Sequence, residues 1–172
     1  MSRSWILVAL LAGAGSAHAG DAFDAVTCDG DVVKALVGKK IPNGPAVELE
    51  KRHAAIGLRL EGSDMLDDPL DYEAWTICGS TFHVILKKDV VADAVKADHS
   101  KAAPSFLGPC ERNGQRMDDS VLAILKPGSD AADKLSASAA WRIDAKNARF
   151  VVMDPAGLMC PRDGIATADG GK

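Results

Sequence analysis

The chain has 172 residues, a formal net charge of −4, 26% charged and 47% hydrophobic residues, and four cysteines. The acidic balance and the lack of a Lys/Arg cluster exclude nucleic acid and electrostatic attachment to anionic lipid, since both need a concentrated basic patch. A chain of this size is one domain by the usual prior, and it can bury a core without a structural metal.

The first residues read as an export signal. Arg3 is a short basic start, residues 5–12 form an apolar run, and Ala17-His18-Ala19 is a small-x-small cleavage site. The apolar run is too short to cross a bilayer, no cysteine follows the cleavage site to carry a lipid, and no later apolar run is long enough for a membrane span. The sequence therefore predicts a cleaved signal peptide over 1–19, a single globular α+β domain over 20–164 and a flexible C-terminal tail over 165–172. The mature chain is expected to be soluble, periplasmic or secreted, and a monomer or small oligomer.

Asp29 or Asp31 is placed to cap a short helix over 32–37, with Val32, Val33, Leu36 and Val37 on one face and Gly38 as the stop. Pro45 opens a second helix. Ala46, Leu49, His53, Ile56 and Leu60 keep a three-four spacing, which predicts helix to about Gly57; the alternative is a switch to strand near Ala54. Residues 61–71 read as a polar loop. Residues 72–87 are the densest run of β-formers and predict a central hairpin turning at Cys78-Gly79-Ser80, around which the rest packs.

Residues 89–97, with Val90, Val91, Ala94 and Val95, suggest a third short helix, and 99–115 an irregular stretch broken by Pro104, Gly108-Pro109 and Asn113-Gly114. Strands are expected over 120–125, 140–143 and 149–153, the last two joined by the polar turn 145–147. These elements give an α+β class: an antiparallel β-sheet of about five strands with two or three short helices on one face, disulfide-stabilised. No internal repeat is visible.

Four cysteines in an exported chain predict two bridges, and the wide spacings match neither a zinc site nor a C-x-x-C redox pair. The expectation that domain termini lie close favours Cys28–Cys160 with Cys78–Cys110.

The candidate chemistry is sparse. Glu50-x-x-His53 is half of a di-iron helix pattern, and without a second copy it reads as a surface carboxylate beside a partly buried imidazole. Asp64, Asp67, Asp68 and Asp71 crowd one loop without the ligand order of a calcium-binding EF-hand. Cys78 with His83 nearby, and His53 and His99 elsewhere, invites a cysteine-hydrolase reading, but a free Cys78 would leave an odd number of partners. Ser80 and Ser105 lack a nucleophile elbow, and no glycine-rich phosphate loop is present. Trp75 and Trp141 sit in strand-like runs and are expected in the core.

Glu50, His53 and His83 thus remain as site candidates, with no cofactor, no metal and no catalytic residue assigned. The composite reading is a non-catalytic, inhibitor-like binding protein of the cell envelope, recognising an unknown protein or small ligand. A small exported hydrolase with a His/acid site assembled only in three dimensions is one alternative, and a structural envelope protein the other. A pocket with His53 or His83 facing a carboxylate would favour the enzyme, and a flat exposed apolar patch the binder.

Overall fold

The structure, a computed structural model, describes residues 21–128 and 132–162; the signal peptide expected at 1–19 and the tail expected at 165–172 lie outside the described residues. The α+β expectation is overturned. The chain is mostly antiparallel β, 47% strand and 11% helix, in two sheets of four and seven strands. The described helices are α1 (Val32–Leu36) and α2 (Ala46–Arg52), followed by a single 3₁₀ turn, Ala54–Ile56.

The first sheet is a meander of β1 (Arg59–Met65), β2 (Leu70–Ile77), β3 (Ser80–Lys87) and β4 (Val90–Lys96), in that order. The 72–87 hairpin sits at its centre as expected. Cys78 and Gly79 both take positive φ, the conformation that a two-residue turn between right-twisted strands requires. All six residues from Thr81 to Leu86 are buried, because β3 is covered on both faces. Phe82, Val84 and Leu86 face a core shared with Phe23, Leu36, Leu49 and Trp75. Ile85 faces the second sheet, with Tyr72, Leu122, Ile143 and Phe150.

The second sheet contains β5 (Ser105–Gly108), β6 (Glu111–Arg112), β7 (Gln115–Arg116), β8 (Val121–Leu125), β9 (Lys134–Asp144), β10 (Arg149–Met153) and β11 (Leu158–Pro161). The eleven-residue β9 organises it. One edge of β9 pairs with β8, and the other pairs with β11 near its start and with β10 near its end. Where β4 approaches β10, Asp93 accepts a hydrogen bond from the Phe150 amide at 2.7 Å, a direct polar tie between the sheets.

Asp31 caps α1 by accepting from the Lys34 amide at 3.1 Å, and Gly38 follows with φ +80°, as the sequence suggests. Val32 and Leu36 pack on the sheet, worth about 2 kcal/mol apiece from apolar burial. The second helix is shorter than expected: α2 stops at Arg52, the 3₁₀ turn ends on left-handed Gly57, and the chain enters β1. The expected polar loop 61–71 is therefore mostly strand.

The expected third helix is β4. Lys88 and Asp89, both at positive φ, fold the chain into a hairpin, and the β3–β4 register shifts between Ile85 and Leu86 so that Ala92 is bulged. The extra residue sends Val91 and Ala94 to one core and Ala92 and Val95 to the other. A bulged strand thus brings residues three apart onto one face, the spacing that resembles a helix. The "irregular" 99–115 stretch likewise holds β5, β6 and part of β7.

All four cysteines are bridged, but not in the expected pairs: the bonds are Cys28–Cys78 and Cys110–Cys160. Each bond closes within its own half of the chain. Cys78 lies at the β2–β3 turn beside the N-terminal segment, and Cys160 lies on β11, which pairs with the β6 strand that follows Cys110. Proximity of the termini was the wrong criterion: Cys28 meets the β2–β3 turn, and Cys110 meets β11 through the β6–β11 pairing.

Candidate functional site

A cleft opens where the helical layer ends and the first sheet continues. It has a volume of about 210 Å³ and is walled by Ile41, Pro42, Asn43 and Gly44 on one side and by Ala46 and Leu49 of α2 on another. Leu60, Glu73, Trp75 and Leu86 of the sheet form its floor, with Asp89 at the rim. Such a volume falls below the range of about 300–1,000 Å³ typical of drug-sized ligands and cofactors.

The local sequence explains the geometry. Alternation along β2 puts Glu73, Trp75 and Ile77 on the helix-covered face, so a carboxylate lands on the same face as the core indole. Trp75 is 1% exposed and donates its indole N–H to Glu73 Oε2 at 2.7 Å. Glu73 is half-buried, and no Lys or Arg among the described residues forms an ion pair with it. Burial pushes its carboxyl above the usual range; the Trp75 bond pulls it back, and the charges of Asp71 and Asp89 push it up again. Asp89 is already engaged, with the Asn43 amide at 3.1 Å and Lys40 at 3.5 Å.

Glu50 and His53 do not converge on one ligand. Glu50 accepts from the Leu60 amide at 2.9 Å, supporting the point where β1 is bulged between Leu60 and Gly62. His53 instead lies 3.0 Å from Asp21 Oδ2, with its ring against Phe23. Asp21, Asp24 and His53 bring three ligand-type atoms within 4.8 Å of one another. Those atoms already serve the fold: Asp24 accepts from the Asp21 amide, Asp21 from the Phe23 amide, and Arg52 reaches Asp21 Oδ2 at 3.3 Å. A cation there would face a guanidinium, which makes the cluster a poor metal centre.

His83 is fully buried between the sheets. Its Nδ1 meets the Tyr72 hydroxyl at 2.5 Å and its Nε2 the Ala97 carbonyl at 3.0 Å, so the ring accepts from Tyr72 and donates to Ala97 in its neutral form. Burial lowers its pKa to about 4 against the opposing pull of the Ala97 bond, and pushes the Tyr72 hydroxyl well up. His99 packs 5.9 Å from the His83 ring. Nearby, Glu61, the bulged residue of β1, accepts from Thr76 at 2.6 Å and from Arg59. Burial opposes its ionisation, but these bonds outweigh it and hold its carboxyl low.

Neither His53 nor His83 lines the cleft, and with every cysteine bridged Cys78 has no thiolate to offer. The four aspartates of the β1–β2 loop region do not gather into a ligand set. Both tryptophans lie in the strands expected of them, Trp75 fully and Trp141 partly buried. The residue the sequence left unremarked is Glu73. A carboxylate in phase with two core residues, Trp75 and Ile77, on a strand was the available signal. No protein-family model matches this chain, no curated protein resembles it in sequence, and no solved structure matches its fold.

Proposed function

We propose that the protein is an exported, non-catalytic binding domain of the cell envelope, inhibitor-like in scale, and that the cleft over Glu73 is where it takes its ligand. The observation that carries this reading is a half-buried carboxylate fixed by a buried indole at the base of a cleft with mixed polar and aliphatic lining, with no cation among the described residues to neutralise it. A rigid floor of strands suits binding, because little ordering is left to occur when the ligand arrives. Two disulfides fit an oxidising compartment, in keeping with the leader-like start of the sequence.

The hydrolase reading draws on the Asp21–His53 contact. It is the weaker one, since Arg52 shares that carboxylate and the cleft lies elsewhere. Thermal-shift screening of the mature protein against small molecules and short peptides tests the proposal. Ligands should raise the Tm of the native chain and leave Ala46→Trp, which fills the cleft, unmoved. A screen in which ligands stabilise both proteins equally overturns it.

A further inference from the structure

Resting on that reading, we infer that the cleft's ligand is an organic cation on an apolar stem, an alkylammonium or alkylguanidinium of side-chain size. Three features of the cleft agree on this class. Its walls offer aliphatic carbon from Ile41, Ala46, Leu49, Leu60 and Leu86, which suits a methylene stem. Its floor offers Glu73, whose Oε2 takes the Trp75 indole N–H while Oε1 has no donor among the described residues, leaving an acceptor for the charged head. Its volume, about 210 Å³, accommodates one long side chain and is small for a nucleotide or sugar chain.

The electrostatics run the same way. Asp71 and Asp89 both raise the proton affinity of Glu73, so the field at its carboxylate favours an arriving positive charge. No Lys or Arg lines the cleft among the described residues, and at its rim Lys40 pairs with Asp89 at 3.5 Å. An anionic or neutral head would meet the same field without compensation. A bare metal ion would find Glu73 Oε1 and, at the rim, an Asp89 already engaged by Asn43 and Lys40, far from the six to eight oxygens that calcium takes.

The test follows the Trp75 indole N–H resonance, assigned by its loss in Trp75→Phe, during titration with n-butylammonium, n-butylguanidinium and n-butanol. The cations should shift it with dissociation constants in about the millimolar range, as expected for fragments of five to eight heavy atoms. Butanol should bind at least tenfold more weakly. Glu73→Gln, which retains an oxygen for the Trp75 bond, should fold normally and weaken the cations about tenfold or more, the usual loss for a hydrogen bond to a charged partner.

Two further arms separate the sources of such a cation. Tighter binding of acetyl-Ala-Lys-Ala-amide than of 1,5-diaminopentane identifies a protein side chain, and the reverse a free polyamine. Butanol matching butylammonium, or cations binding Glu73→Gln undiminished, overturns the inference. If neutral ligands bind the native cleft and are excluded by Ala46→Trp, the binding-domain reading stands while the cation assignment falls.

Discussion

The two halves of the molecule each carry one disulfide, and both bonds span a sequence separation of 50 residues, but they serve different ends. In the first half, α1 and α2 cover a sheet face and supply Leu36 and Leu49 to a core already rich in Phe23, Trp75 and Phe82. The Cys28–Cys78 bond lies at the margin of that core, with Cys28 exposed and Cys78 half-buried. The second half has no helix among its described residues. Its outer core combines Phe106, Val121, Leu125, Leu135 and Leu158 with the small side chains Ala123, Ala137 and Ala140, and the Cys110–Cys160 bond is fully buried among them. Where helices bring apolar volume, the disulfide anchors a chain end; where they are missing, the disulfide becomes part of the packing.

The sharpest test of this contrast removes each bond in turn. On the chain-entropy model a loop of this length contributes roughly 4 kcal/mol, and the two bonds should be equal on that count. Cys110→Ala with Cys160→Ala should nevertheless cost about 1–2 kcal/mol more than Cys28→Ala with Cys78→Ala, because it also empties packed volume. Urea denaturation measures the difference. Mild reductant on the native protein, followed by alkylation and peptide mapping, should label Cys28 and Cys78 first. Equal losses and equal labelling would break the contrast.

A second test addresses the layer between the halves, where His83 is held neutral. Its folded-state pKa of about 4 lies below the ordinary 6.5, so the unfolded chain binds the extra proton first as the solution is acidified. The stability associated with the neutral ring is whole above pH 6.5, falls as pH drops from 6.5 to 4, and levels off below, a loss of about 3 kcal/mol. Urea midpoints across this window should follow that course in the native chain and flatten in His83→Gln. An unchanged slope in the variant would assign the acid sensitivity to other groups.

The smallest effect concerns the polar tie. Asp93→Ala strands the Phe150 amide and should cost about 2 kcal/mol, read in the same denaturation experiment. Hydrogen exchange at Phe150 should accelerate more than that of the slowest amides of β2 and β3, which should follow the global loss. Acceleration at Phe150 no greater than theirs would mean that the contact does not pin the two sheets together locally.

The sequence made the centre of the fold legible and its periphery deceptive. The hairpin of β2 and β3 was visible because Trp75, Ile77, Phe82, Val84 and Ile85 are strong β-formers around a turn. The strand pair β9 and β10 was visible through its alternation, though β9 begins six residues before the expected start at 140. What failed in β4 was reading period across a bulge, since the extra residue Ala92 makes the alternation pass for a helix. In β1 the misleading signal was composition: 61–71 is polar and carries Gly62 and Pro69, which reads as a loop. Glu50 and His53 stand out by their Glu-x-x-His spacing and His83 by its closeness to Cys78, and each has a buried or half-buried partner. Their partners, the Leu60 amide, Asp21, and Tyr72 with Ala97, serve the fold. Glu73 escaped notice because its phase with Trp75 and Ile77 shows only that it faces the core; whether it is compensated depends on which cations lie across the cleft.

The disulfide pairing also decides how the chain responds to cutting. Nested bonds, from the first cysteine to the last and between the middle two, would hold the halves together through any single break in the polypeptide between Cys28 and Cys160. The side-by-side bonds leave the segment from Cys78 to Cys110 as the sole covalent connection between two closed rings. That segment includes the exposed residues Asp98, Ser100, Lys101 and Ala102 between β4 and β5. One proteolytic event there leaves two stapled fragments with no covalent link between them, held among the described residues by the core between the sheets and by the Asp93–Phe150 hydrogen bond.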